Sequence, residues 1–185
     1  MKKQLVLLLL LTLLATRESI MAKDYSKEIR TIKALKSTTA PVLNGDLSDN
    51  VWAKAQKEKD FRQPEGKELS KAKTEVMTCW TSSALYIGMI CYEPDMKKIK
   101  RKYMEPADRF TWKYGTDEIE LFITPNYENP EVGYFHFVVS AGGQIYQKYH
   151  RRIGANSFPK RIYDIKVATK EFDDRWQAEP APNYL

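Results

Sequence analysis

Long apolar runs are almost absent from this 185-residue chain. The one that stands out, Leu5 to Ala15, follows Met1-Lys2-Lys3. It is too short to span a bilayer, which takes roughly 20 apolar residues. A basic start, an apolar run and small residues after it read as a secretory signal peptide over residues 1–22, with Ala22 or alternatively Ala15 as the last residue removed. The expected location is therefore outside the cytoplasm, extracellular or periplasmic, with no membrane span. No cysteine stands near either cleavage point, so lipid attachment there is not expected. Histidine and cysteine are scarce, two of each. His136 and His150 lack the spacing of a zinc site. There is no glycine-rich phosphate loop and no nucleophile in a recognised elbow, which argues against an enzyme.

With Cys79 and Cys91 in an oxidising compartment, a disulfide is the first expectation. Local geometry opposes it. Thr81-Ser82-Ser83-Ala84 reads as a turn between two strands, which sets Trp80 opposite Leu85 and Cys79 opposite Tyr86. Cys91 then lies five residues further along and on the other face, roughly 16 Å away at about 3.3 Å per residue. A bridge needs Cα atoms within about 7 Å. Both are expected to be free, small, apolar residues.

What the chain does have is period-two alternation. Val76 to Trp80, Leu85 to Cys91, Ile119 to Ile123, Phe135 to Val139, Ile162 to Ala168 and Arg175 to Ala178 each alternate, and Gly, Pro, Asn and Asp separate them. This is the pattern of half-buried strands. It predicts an all-β fold, an antiparallel β-sandwich of the immunoglobulin or jelly-roll kind. A single short helix is expected at Asp49 to Gln56, with Asp49 as its N-cap. Residues 23–38 read as an irregular lead-in and residues 39–185 as one domain. The alternation points Ile119, Leu121, Ile123, Phe135, Phe137 and Val139 into the core. Glu118, Glu120, His136 and Ser140 then share the opposite, outward face of the same sheet.

Four constellations stand out in the sequence. Trp112 and Tyr114 precede Asp117 in the loop F-T-W-K-Y-G-T-D, with Glu120 just beyond. An aromatic ring stacks on the C–H face of a sugar while carboxylates and amides take its hydroxyls. A core lid is the competing reading of Trp112. The cluster Lys97 to Lys102 reads as a solvated loop, and no nucleic-acid fold pattern accompanies it. Asp46, Asp49, Asp95 and Asp108 offer hard oxygen donors, so calcium is a candidate cofactor without a recognised loop motif. Glu118 and Glu120 stand about 7 Å apart by strand rise, but a lone Glu-x-Glu is poor evidence for a glycosidase pair.

The ordered set P-V-L-N-G-D-L-S-D-N-V-W (Pro41–Trp52), C-W-T-S-S-A-L-Y-I-G (Cys79–Gly88), D-E-I-E-L-F-I-T-P (Asp117–Pro125) and F-H-F-V-V-S-A-G-G-Q (Phe135–Gln144) resembles the family 9 carbohydrate-binding modules over about residues 39–182. The resemblance implies a secreted, non-catalytic β-sandwich that holds a poly- or oligosaccharide, on its own or beside a glycoside hydrolase. It implies that Trp112 stacks on sugar, that Glu120 binds hydroxyls and that Asp117 binds or braces; His136 and Ser140, which share the outward face with Glu120, are expected to hydrogen-bond beside it. Gly45, Trp52, Trp80 and Leu85-Tyr86-Ile87 match structural positions. The outward face at His136, Val138 and Ser140 departs from the family's polar set, so the ligand set is altered or lost. Pro180 is expected to interrupt the strand that begins Trp176-Gln177-Ala178-Glu179, and the domain's last strands are expected to be missing. Related sandwiches hold b-type haem between a Met and a His or Lys. That makes haem on His136 with Met77, Met89, Met96 or Met104 the rival reading, alongside a purely structural interaction domain of the same fold, while the lack of C-x-x-C-H excludes covalent haem. The particular sugar and the oligomeric state stay open.

Overall fold

A computed structural model describes residues 30–63, 68–101, 116–124, 133–150 and 164–183. The chain divides into two units. The first comprises Met1–Ile29 and Arg62–Leu69, within which Arg62 and Leu69 form an antiparallel bridge. The second, Arg30–Phe61 with Ser70–Leu185, holds the fold described below.

The alternating segments of this second unit become two sheets. Strands β1 (Leu35–Lys36), β2 (Lys57–Glu58), β3 (Thr74–Trp80), β4 (Leu85–Tyr92), β8 (Ile165–Glu171) and β9 (Arg175–Pro182) form the larger, in the order β1-β3-β4-β9-β8 with β2 also on β3. Strands β5 (Glu118–Ile123), β6 (Tyr134–Ser140) and β7 (Ile145–His150) form the smaller, in sequence order. Pairing is antiparallel except between β1 and β3. The all-β antiparallel sandwich is therefore what the alternation predicts. The single α-helix among the described residues, α1, spans Asn50–Lys54, and a 3-10 turn covers Met96–Lys98.

Ile87, Met89, Trp176 and Ala178 of the larger sheet pack with Ile119 and Val139 of the smaller to form the interior. Burying side chains of this size contributes about 1.5–3 kcal/mol each. The other face of the larger sheet is covered too. Met77, Cys79, Tyr86, Ile90 and Ala181 pack under Trp52 of α1, with Leu43, Leu47 and Val51 at the margin. Being buried on both faces, β4 reads as a nearly continuous apolar run. The indole lies directly on β4 because Gly88 has no side chain. A Cβ there would meet Trp52 ring carbons at 3.2 Å.

Asp49 holds the N-cap position but makes no side-chain bond to the helix. Its Oδ2 instead accepts the Val42 N–H at 2.8 Å, which ties the preceding loop down. The hairpin register is as expected, with Trp80 opposite Leu85 and Cys79 opposite Tyr86. Cys79 and Cys91 are free and belong to different packing clusters on opposite faces of the sheet. Burial pushes Cys79 up to about 11, with the Glu179 charge adding, and Cys91 up to about 12, with the Asp117 charge adding.

Pro180 does not interrupt the last strand, contrary to the sequence-based expectation. β9 runs to Pro182 in full register with β8. Asn183 N–H donates to Asp164 at 3.1 Å and Phe172 N–H donates to Arg175 at 2.8 Å, so odd-numbered residues of β9 address β8. Alternation turns the nitrogens of Pro180 and Pro182 toward β4, where they have no hydrogen to give. The β4 ladder accordingly covers Met89–Tyr92 and resumes only at the Ala84–Asn183 bridge.

Candidate functional site

The smaller sheet sorts its side chains as the alternation predicts. Ile119, Val139, Phe135 and Phe137 are buried core residues, with Leu121 and Ile123 packed against them. The register then lays out the opposite face row by row. Glu118 stands opposite Ser140; Glu120 opposite Val138, which in turn faces Tyr146; Phe122 opposite His136, which in turn faces Lys148; and Tyr134 opposite His150.

That face is not an open row of solvated groups. His136 is 7 % exposed, and Val138 and Ser140 are fully buried. His136 Nε2 and Glu120 Oε2 lie 2.8 Å apart. The His136 ring stacks on Phe122, with centroids 4.3 Å apart at 16°, and meets Tyr146 edge-on at 6.1 Å. Next to this pair, Tyr134 and His150 stack at 4.8 Å and 12°. Phe122 closes on Tyr134 at 5.9 Å and His136 on His150 at 5.8 Å, so these rings form one contiguous patch. Phe122 is its exposed member, 59 % accessible. Burial raises the Tyr146 hydroxyl's pKa. Burial also lowers that of His150, with the Lys148 and His136 charges adding, and so favours the neutral imidazole.

The predicted site residues are distributed unevenly over this face. Glu120 and His136 meet directly. Ser140 lies on the same face, but its hydroxyl accepts the Gln144 N–H at 3.1 Å and closes the β6–β7 turn. Asp117 sits just before β5, where its Oδ2 accepts the Lys100 N–H at 2.7 Å and its N–H donates to Lys100 O at 3.0 Å, so it braces the loop. Trp112 and Tyr114 lie outside the described residues. Tyr134, Tyr146 and His150 were not foreseen as site residues. Tyr134 already shared the phase of His136. The other two belong to β7, whose Ile-Tyr-Gln-Lys-Tyr-His places sizeable side chains on both faces and hides the alternation.

The candidate calcium donors have other occupations. Asp46 Oδ2 is 2.7 Å from Lys170 Nζ, which holds the Asp46 carboxyl below its ordinary pKa. Asp95 pairs with Lys98 at 2.8 Å, Asp49 holds Val42, and Asp108 lies outside the described residues. Among the described residues, no group of three or more His, Cys, Asp or Glu side chains is arranged to hold a metal. The haem reading fits poorly as well. His136 Nε2 faces a carboxylate, Met77 and Met89 are buried in the two packing layers, Met96 packs against the interior, and Met104 lies outside the described residues.

No protein-family model and no curated protein matches the chain. Solved structures do. A family 9 carbohydrate-binding module from Caldicellulosiruptor kristjanssonii, in complex with cellotriose, superposes with a TM-score of 0.54 at 16 % identity, covering 82 % of this chain and 67 % of that one. The same organism's module in complex with glucose gives the same TM-score and identity, covering 82 % of this chain and 69 % of the other. At this identity the likeness is one of architecture: the chain has the β-sandwich fold of family 9 carbohydrate-binding modules.

Proposed function

We propose that this chain is a secreted, non-catalytic domain that binds a neutral poly- or oligosaccharide on the outer face of the β5–β7 sheet. The observation that carries the reading is the exposed Phe122 ring backed by His136, whose Nε2 lies 2.8 Å from Glu120. An exposed flat ring suits the C–H face of a pyranose, and a carboxylate–imidazole pair beside it suits the hydroxyls. The shared fold supports it, since the modules of that fold named above were solved with cellotriose and glucose. In this reading Trp112 and Tyr114 supply further stacking from the loop before Asp117. Residues 1–22 are removed as a signal peptide, and residues 39–185 form the binding domain.

The test is tryptophan fluorescence or calorimetry on residues 23–185 with glucose, cellotriose and a panel of glucans and xylans. Saturable binding of one sugar class is expected, weakened by Trp112→Ala and by Phe122→Ala. A folded protein that binds nothing on the panel overturns the reading. Binding unaffected by Trp112→Ala removes the stacking role from that residue.

A further inference from the structure

One buried polar atom on this face stands unpaired among the described residues. His150 Nε2 is buried and has no hydrogen-bond partner among the described residues. A buried nitrogen left unpaired costs about 1–3 kcal/mol, and such groups in native proteins call for an explanation. The ring itself is well held. It stacks flat on Tyr134 and lies 5.8 Å from His136, so its plane is set by packing rather than by a hydrogen bond at Nε2.

We propose that His150 is a ligand-binding residue, whose Nε2 hydrogen-bonds a hydroxyl of an uncharged sugar held on this face. The inference rests on the carbohydrate-binding reading and deepens it. Three observations converge. The atom is closed to solvent, so a ligand hydroxyl reaches it only as a neighbouring side chain gives way, and it then satisfies a group that is otherwise unpaired. His150 shares the face with the Glu120–His136 pair and belongs to the same ring patch as the exposed Phe122. Burial, then the Lys148 and His136 charges, disfavours the charged imidazole. A neutral imidazole offers one donor and one acceptor, and a hydroxyl can answer either, whichever tautomer is present. A carboxylated sugar fits less well, because Glu118 and Glu120 stand on the same face against one lysine in these rows, Lys148, which the register sets opposite His136. The groups bearing on His150 are Tyr134 and His136 from β6, Lys148 from its own strand, and Glu120 and Tyr146 through His136.

The experiment compares the intact protein with His150→Phe, which keeps a ring on Tyr134 and removes the nitrogen. Cellotriose affinity is measured by calorimetry, and the imidazole nitrogens of the wild type are followed by 15N NMR during the same titration. Affinity is expected to fall about tenfold in His150→Phe with the melting temperature held, and the Nε2 resonance of His150 is expected to move on saturation. Equal affinity, or an Nε2 resonance that stays still while the protein saturates, overturns the assignment. Wild-type binding that Phe122→Ala or Trp112→Ala weakens and His150→Phe does not removes His150 alone. A wild type that binds no neutral sugar removes the carbohydrate reading and this inference together.

Discussion

The indole N–H of Trp52 donates to Glu179 Oε1 at 3.0 Å, across 127 residues of chain. The other carboxylate oxygen accepts the N–H groups of Gly45 at 2.7 Å and Asn44 at 3.1 Å. Two residues earlier on the same strand and in the same phase, Gln177 Oε1 accepts the Leu47 N–H at 3.1 Å. These bonds tie the N-terminal loop and α1 to β9, and they explain why a fully buried glutamate stands in the last strand. Removing it leaves several buried donors unpaired, each costing about 1–3 kcal/mol. Glu179→Ala is expected to lower unfolding stability by about 3 kcal/mol or more, read from the urea midpoint. Glu179→Gln is expected to cost about 1–3 kcal/mol, because its NH2 must face at least one of the N–H groups it replaces a partner for.

The same carboxylate carries a pH signature. Burial raises its pKa above the ordinary value, against the bonds from Gly45, Asn44 and Trp52. A group whose folded value exceeds its unfolded one contributes stability that is full below the unfolded value and lost as pH rises through the folded one. Between about pH 4.5 and that raised value, wild type is therefore expected to gain on Glu179→Gln as pH falls. Urea midpoints of the two proteins at pH 5 and pH 8 check this. A gap that narrows toward pH 5 contradicts it.

Gly45 is fixed twice over. Its φ is +76°, and a Cβ would stand 2.4 Å from the Thr169 carbonyl carbon of β8. The left-handed conformation alone costs a side-chain residue about 1–2 kcal/mol. Backbone rather than a flexible side chain blocks the added methyl. Gly45→Ala is expected to destabilise by at least about 2 kcal/mol, while Ser48→Ala in the same loop changes little. Thermal melts of the two variants decide it.

These ties also show where a single sequence speaks and where it does not. The β3–β4 register followed from one turn, Thr81–Ala84, because a short hairpin fixes every pair along both strands. The inward faces of β5 and β6 followed from strict alternation. Pro180 misled, because whether a proline breaks a ladder depends on which neighbour its nitrogen faces, and that needs the strand's position in the sheet. Asp49 was placed at the right position but given the wrong partner, since Val42 approaches only after the loop folds back.

The site was legible in part for the same reason. Glu120 and His136 shared a face by alternation, and their contact is a diagonal one across β5 and β6, whose register pairs Glu120 with Val138 and His136 with Phe122. Phe122 stood in that phase too, but an apolar residue in an outward position reads as noise until it stacks on a histidine. His150 was out of reach, because β7 announces neither its existence nor its phase.

The two thiols give a last, simple test. Cys79 is buried with its pKa pushed up to about 11, and Cys91 reaches about 12. Only the thiolate is nucleophilic, so both should resist alkylation in the folded protein at pH 8. Iodoacetamide followed by mass spectrometry is expected to leave both unmodified in buffer and to label both in urea without reductant. Labelling in urea that requires prior reduction means that the thiols are bridged, which the opposite-face placement of Cys79 and Cys91 forbids in a single chain. Rapid labelling of Cys79 in buffer means that the layer under Trp52 opens, where the Glu179 carboxylate holds the indole, and rapid labelling of Cys91 means that the interior between the sheets does.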